Sequence, residues 1–111
     1  MNKNLQGSIK DIINELEGEI QPQRIILFGS QASGKVDEYS DLDLLIIAPS
    51  QDRPLDRRLK VRRLLIEYDR NIGLDILFYT PEELALLENE PASFLRQLLA
   101  SGITVYDQKN L

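Results

Sequence analysis

Arg24–Ala48 reads RIILFGSQASGKVDEYSDLDLLIIA, two apolar runs joined by a polar segment. Arg24–Phe28 is short, rich in isoleucine and stopped by Gly29, which predicts a buried strand. Asp41–Ala48 predicts a second strand, ended by Pro49. Between them, Gly29, Gly34 and Lys35 nearly spell the phosphate-cradling pattern G-x-x-x-x-G-K-[ST], but Val36 stands where that motif needs a hydroxyl. Such a loop must also open directly into a helix, whose N-terminal amides help bind the phosphates. Only Asp37–Ser40 separates Val36 from the next strand, which leaves no room for one. The P-loop reading therefore fails.

A different pattern spans both sides of the loop. Gly29-Ser30 ends the first strand, ten residues intervene, and Asp41-Leu42-Asp43 opens the second. A glycine lets the backbone approach a phosphate closely, Ser30 adds a hydroxyl donor, and the turn Gln31–Gly34 can aim amides at the same anion. Asp41 and Asp43 are two apart on a strand and so share a face, with Leu42, Leu44 and Ile46 on the other. Adjacent carboxylates running into LLII repel one another unless something positive compensates. Asp75 repeats the anomaly inside a third apolar run, Leu74–Tyr79 (LDILFY). Taken singly, a Gly-Ser is a turn and a strand-end aspartate is solvated. Their joint placement suggests three acids converging on a hard cation with oxygen ligands, for which magnesium is the default.

Outward from these strands, Ser8 and Asp11 resemble a capping box for a helix over about 8–18, with Ile9, Ile12, Ile13, Leu16 and Ile20 at helical spacing. Asp52 and Pro54 predict the start of a helix running to about Asn71. Thr80-Pro81-Glu82-Glu83 is a capping box with proline at the first helical position. Leu84, Leu87, Phe94, Leu95, Leu98 and Leu99 fill two short helices divided at Pro91, and Gly102 stops the second. Ile103–Tyr106 adds an edge strand. The order predicts an α/β (α+β) domain, residues 1–111, with a small sheet flanked by helices.

The 111 residues contain no cysteine and no histidine, so disulfides, thiolate chemistry and Ser-His or Cys-His pairs are excluded. No run of 18 apolar residues and no signal-peptide stretch is present, so a cytoplasmic protein without a membrane partner is expected. The net charge of −5 is uneven: seven basic residues against three acids give residues 53–70 a charge of +4, and the remainder carries −9. A nucleic-acid partner is therefore disfavoured. The basic segment reads most simply as a solvated helix face, with docking to an acidic partner or nucleic acid as alternatives.

Gly29-Ser30, ten residues, Asp41-x-Asp43 and then Asp75 in an apolar strand resemble the minimal nucleotidyltransferase (MNT) family of the polymerase-β superfamily. The resemblance runs from RIILFGS through SDLDLLII and LDILFYTPEEL to FLRQLLASGITVYD. It implies a polymerase-β-like fold with a small mixed sheet, and Asp41, Asp43 and Asp75 as catalytic ligands of two magnesium ions. It further implies ATP as substrate, with Gly29 and Ser30 on the β- and γ-phosphates and with Ser33 and Lys35 in the same nucleotide-binding loop. Many relatives carry arginine where Ser33 stands, and Lys35 supplies a positive charge from a different place. Stand-alone family members pair with HEPN-domain ribonuclease toxins, which implies an antitoxin that transfers AMP to a toxin tyrosine. A chain this short is expected to have its acceptor site completed by another chain; oligomers are compatible with the sequence. The alternative, favoured by Ser33, is a non-catalytic module that neutralises its partner by binding alone.

Overall fold

In the computed structural model, which describes residues 3–29, 42–71, 73–87, 89–90 and 94–110, the two opening runs form strands β1 (Arg24–Phe28) and β2 (Leu42–Ile47). They pair antiparallel, from Arg24 opposite Ile47 to Phe28 opposite Asp43. That pairing alone excludes a P-loop unit, whose strand–helix–strand crossover produces parallel neighbours. β3 (Leu74–Tyr79) lies parallel to β2 and in register, with Leu42 beside Leu74 and Asp43 beside Asp75. β4 (Ile103–Asp107) runs antiparallel to β1 and gives the order β3-β2-β1-β4, a mixed sheet.

Helices cover both faces. α1 (Lys3–Ile20) and α2 (Pro54–Leu64) lie on one side. There Ile9, Ile12, Leu16, Val61 and Leu65 pack against Ile25, Leu27, Leu42, Leu44, Ile46, Leu74, Ile76 and Phe78. On the other side α4 (Pro81–Leu87) and α5 (Phe94–Ser101) bring Leu84, Leu87, Leu95 and Leu98 against Ile26, Leu45 and Ile47. This second layer explains why β2 reads LLII without alternation: both of its faces are covered. Leu42, Leu44 and Ile46 do face away from the side of Asp43, as the strand period requires. Among the described residues, no helix is long and apolar enough to cross a membrane.

Three sequence expectations need correction. α1 begins at Lys3 and passes through Gly7-Ser8, so Ser8 and Asp11 are interior helix residues rather than a capping box. The helix also runs beyond Gly18 to Ile20, and Gln21 then takes a left-handed conformation (φ 49°) before Pro22. Asp52 does not cap the next helix: Arg53 is the N-cap, with no side-chain cap hydrogen bond. Nor does that helix reach Asn71 unbroken, because a turn at Leu65 separates α2 from α3 (Ile66–Asn71).

The third correction concerns the basic helix, whose Arg57 is buried (5% exposed) rather than solvated. Its guanidinium donates to the Phe78 carbonyl at 3.3 Å, ion-pairs with Glu83 and sits 5.3 Å from the centre of the Phe78 ring. Glu83 is the distal residue of the predicted capping box, which forms as expected. The Thr80 amide donates to Glu83 Oε1 at 2.9 Å, and the Glu83 amide donates to Thr80 Oγ1 at 3.2 Å. One carboxylate thus caps α4 and ties it to α2, while the Arg57 guanidinium itself links α2 to β3.

Burial pushes the Glu83 carboxyl up, but the Thr80 amide and the Arg57 guanidinium outweigh it, and the net shift is downward. A carboxyl whose folded pKa lies below its unfolded value stabilises the fold above the unfolded value of about 4.3. That contribution disappears as pH falls through the lower folded value. Denaturant midpoints recorded from pH 7 to pH 2.5 should therefore fall for the native sequence in the acid range. Glu83→Gln should be less stable at pH 7 and show a shallower acid limb. Parallel curves for the two proteins would show that the Arg57–Glu83 pair contributes nothing.

Candidate active site

Asp43 and Asp75 sit on one face of the sheet, side by side in register at the N-terminal ends of β2 and β3. Neighbouring strands lie about 4.8 Å apart, so the two carboxyl groups start from adjacent backbone positions. Asp43 is half-buried and Asp75 exposed. Leu74 and Ile76, on either side of Asp75, point into the core, which is why an aspartate stands in an apolar run.

Gly29 closes β1 on the other side of Asp43. It adopts φ 74°, a left-handed conformation that favours glycine. A Cβ added there would lie 2.1 Å from Asp43 Oδ2. The Asp43 carboxylate therefore occupies the volume that any side chain at position 29 would need. The spacing Gly-Ser…Asp-x-Asp has this physical basis on its glycine side: the bare Cα accommodates the acid of the next strand. Of the other sequence candidates, Ser30, Ser33, Lys35 and Asp41 lie outside the described residues.

Phe28 extends the row. Paired with Asp43 across β1 and β2, it completes the order Phe28, Asp43, Asp75 across three strands on one face. Its ring packs edge-on against Phe94, with centroids 6.4 Å apart and planes at 80°. Phe94 was expected among the apolar residues filling its helix, yet it is 63% exposed, while Leu95 and Leu98 supply the packing. Helical spacing gives no sign of this, because Phe94 lies four residues before Leu98 and so on the same stripe; only its place as the first residue of the helix sets it apart.

Two acids brought together in this way suit a hard divalent cation in ligand chemistry, since carboxylate oxygens are what magnesium prefers. Among the described residues no third acid joins them. Two clefts lie elsewhere on the protein. One of about 380 Å³ is lined by Gln23, Arg24, Asp107, Gln108 and Lys109, and another of about 250 Å³ includes Pro49, Ser50, Arg57 and Phe78. Both open at the opposite end of β1 and β2 from Gly29 and Asp43, so neither belongs to the carboxylate row.

Comparison with known proteins agrees with this geometry. The family model described as polymerase beta, nucleotidyltransferase, matches residues 10–111. A Methanocaldococcus jannaschii protein named as a protein adenylyltransferase is 36% identical over 89 residues, which are 78% of this chain and 59% of that protein. The chain thus spans little more than half the length of that relative. A Sulfolobus solfataricus structure described as a nucleotidyltransferase superposes with TM-score 0.65 at 17% identity, covering 93% of this chain and 80% of its own. A structure of a tri-AMPylated Shewanella oneidensis HEPN toxin in complex with MNT antitoxin superposes with TM-score 0.57 at 19% identity, covering 95% and 74%. At these identities the two structures establish a shared fold. With the family model matched over nearly the whole chain and the carboxylate row in place, the chain belongs to the polymerase-β nucleotidyltransferase family.

Proposed function

We propose that this protein is a magnesium-dependent nucleotidyltransferase that moves AMP from ATP to a tyrosine hydroxyl of a HEPN-domain partner, and so acts as an antitoxin in the cytoplasm. The observation that carries the reading is the in-register pair Asp43 and Asp75, with Gly29 pressed against the first of them. The adenylyltransferase relative and the AMPylated toxin complex support the nucleotide and the partner.

In this proposal Asp41, Asp43 and Asp75 would hold two magnesium ions. Magnesium bound there would supply charge neutralisation for an in-line displacement at phosphorus. Gly29, Ser30, Ser33 and Lys35 bind and orient the triphosphate tail. Asp75, the exposed member of the pair, faces the incoming acceptor and takes up the proton of its hydroxyl. A bond forms between that oxygen and the α-phosphorus, the bond to the β-phosphate oxygen breaks, and pyrophosphate leaves. Since little covalent work falls to the protein, positioning and electrostatics account for most of the rate.

The test is incubation of the full chain with a HEPN-domain partner, α-labelled ATP and magnesium, followed by mass spectrometry of the partner. Label on a partner tyrosine, dependent on magnesium, is the expected result. An unmodified partner that is nevertheless inhibited in complex would favour the binding-only reading, which Ser33 in the loop motivates.

A further inference from the structure

We propose that Phe94, braced by Phe28, is the platform on which the base of the nucleoside triphosphate stacks; this rests on the nucleotidyltransferase reading and adds to it the contact that holds the base. Phe28, Asp43 and Asp75 are register neighbours on one sheet face, so Phe28 adjoins the carboxylates and Phe94 lies one ring contact further out, 6.4 Å from Phe28 between centroids. Cross-strand neighbours in an antiparallel pair have Cβ atoms about 5 Å apart, so the distance from the acids to the outer ring is of the order spanned by a nucleotide. Phe94 opens α5 and leaves most of its surface to solvent, while Leu95 and Leu98 supply that helix's fully buried contacts. The edge-on contact with Phe28 fixes the Phe94 ring without covering it.

A fixed, exposed aromatic ring, one ring contact away from a pair of metal-suited acids, matches a ligand that is anionic at one end and flat at the other. A nucleoside triphosphate has that shape. Stacking serves any base, because every base has a π-face, and it favours the larger purines through contact area. The aromatic acceptor side chain is the other flat group that could reach this ring, and the experiment separates the two.

Binding of ATP and of inorganic tripolyphosphate, each with magnesium, is measured calorimetrically on the full chain and on Phe94→Ala and Phe94→Trp. Tripolyphosphate reports the carboxylate and loop contacts alone. Phe94→Ala should weaken ATP about tenfold while leaving tripolyphosphate within about twofold, and Phe94→Trp should restore ATP binding. Because Phe94 is exposed, thermal unfolding of the variants should match the native protein. ATP affinity unchanged in Phe94→Ala would overturn the proposal and leave the ring to the acceptor. Equal weakening of both ligands would overturn it as well, by showing a general disturbance of the site. If the native chain binds neither ligand, the nucleotidyltransferase reading falls together with this one.

Discussion

Asp43→Asn should abolish magnesium-dependent transfer and with it the stabilisation that magnesium gives the native fold. Asp43 and Asp75 place two carboxylates on neighbouring positions of adjacent strands, and a cation held between like charges offsets their repulsion. Asparagine keeps the size of the side chain and removes one of the charges. On the proposed mechanism, the same carboxylate is a magnesium ligand that an amide cannot replace in charge. Loss of about 4 kcal/mol of transition-state stabilisation corresponds to about a thousandfold in rate. Magnesium should raise the melting temperature of the native protein by mass action and leave that of the variant nearly unchanged. Melting curves with and without magnesium, alongside transfer rates, test both halves. A variant that still responds to magnesium and still transfers AMP would remove Asp43 from the site. A variant that loses transfer but still protects cells from the toxin would make binding the source of neutralisation.

The strands and their acids were legible because the relevant signals are local. An isoleucine-rich run stopped by glycine, and aspartates interrupting apolar runs, declare β1, β2, Asp43 and Asp75 within a few residues each. The Thr80–Glu83 capping box is equally local and forms as read. Arg57 was not legible because its partners, the Phe78 carbonyl and Glu83, lie 21 and 26 residues away. A run of arginines looks solvated until one is counted into the stripe Arg57, Val61, Leu64, Leu65 and Tyr68, the side of the helices that meets the sheet. The remainder of that run behaves as expected: Arg58, Lys60, Arg62 and Arg63 are exposed. The extent of α1 was misread as well. Gly7-Ser8 has local cap propensity, yet the helix runs through it, and cap propensity alone does not fix where a helix starts.

Gly29→Ala should cost the fold about 2–4 kcal/mol and remove transfer activity together. Two separate penalties add. A residue with a Cβ in the left-handed conformation at φ 74° costs about 1 kcal/mol. The new methyl would also start 2.1 Å from Asp43 Oδ2 and 3.1 Å from its Cγ, so the carboxylate must move or the ends of β1 and β2 must part. Overpacking of that kind costs about 1–3 kcal/mol. Against a total stability of about 5–15 kcal/mol the loss is large, and the melting temperature should fall by on the order of 10 °C. The second penalty depends on Asp43, and the first does not. In the double variant Gly29→Ala, Asp43→Ala, the nearest remaining atom of residue 43 is its Cβ at 3.5 Å, an ordinary contact. A double-mutant cycle by chemical denaturation should therefore show a favourable coupling of about 1 kcal/mol or more, with stability partly restored and activity still absent. Strict additivity would mean that the carboxylate does not rest on Gly29. The glycine would then be required by backbone conformation or by the phosphates alone, and no longer by the acid beside it.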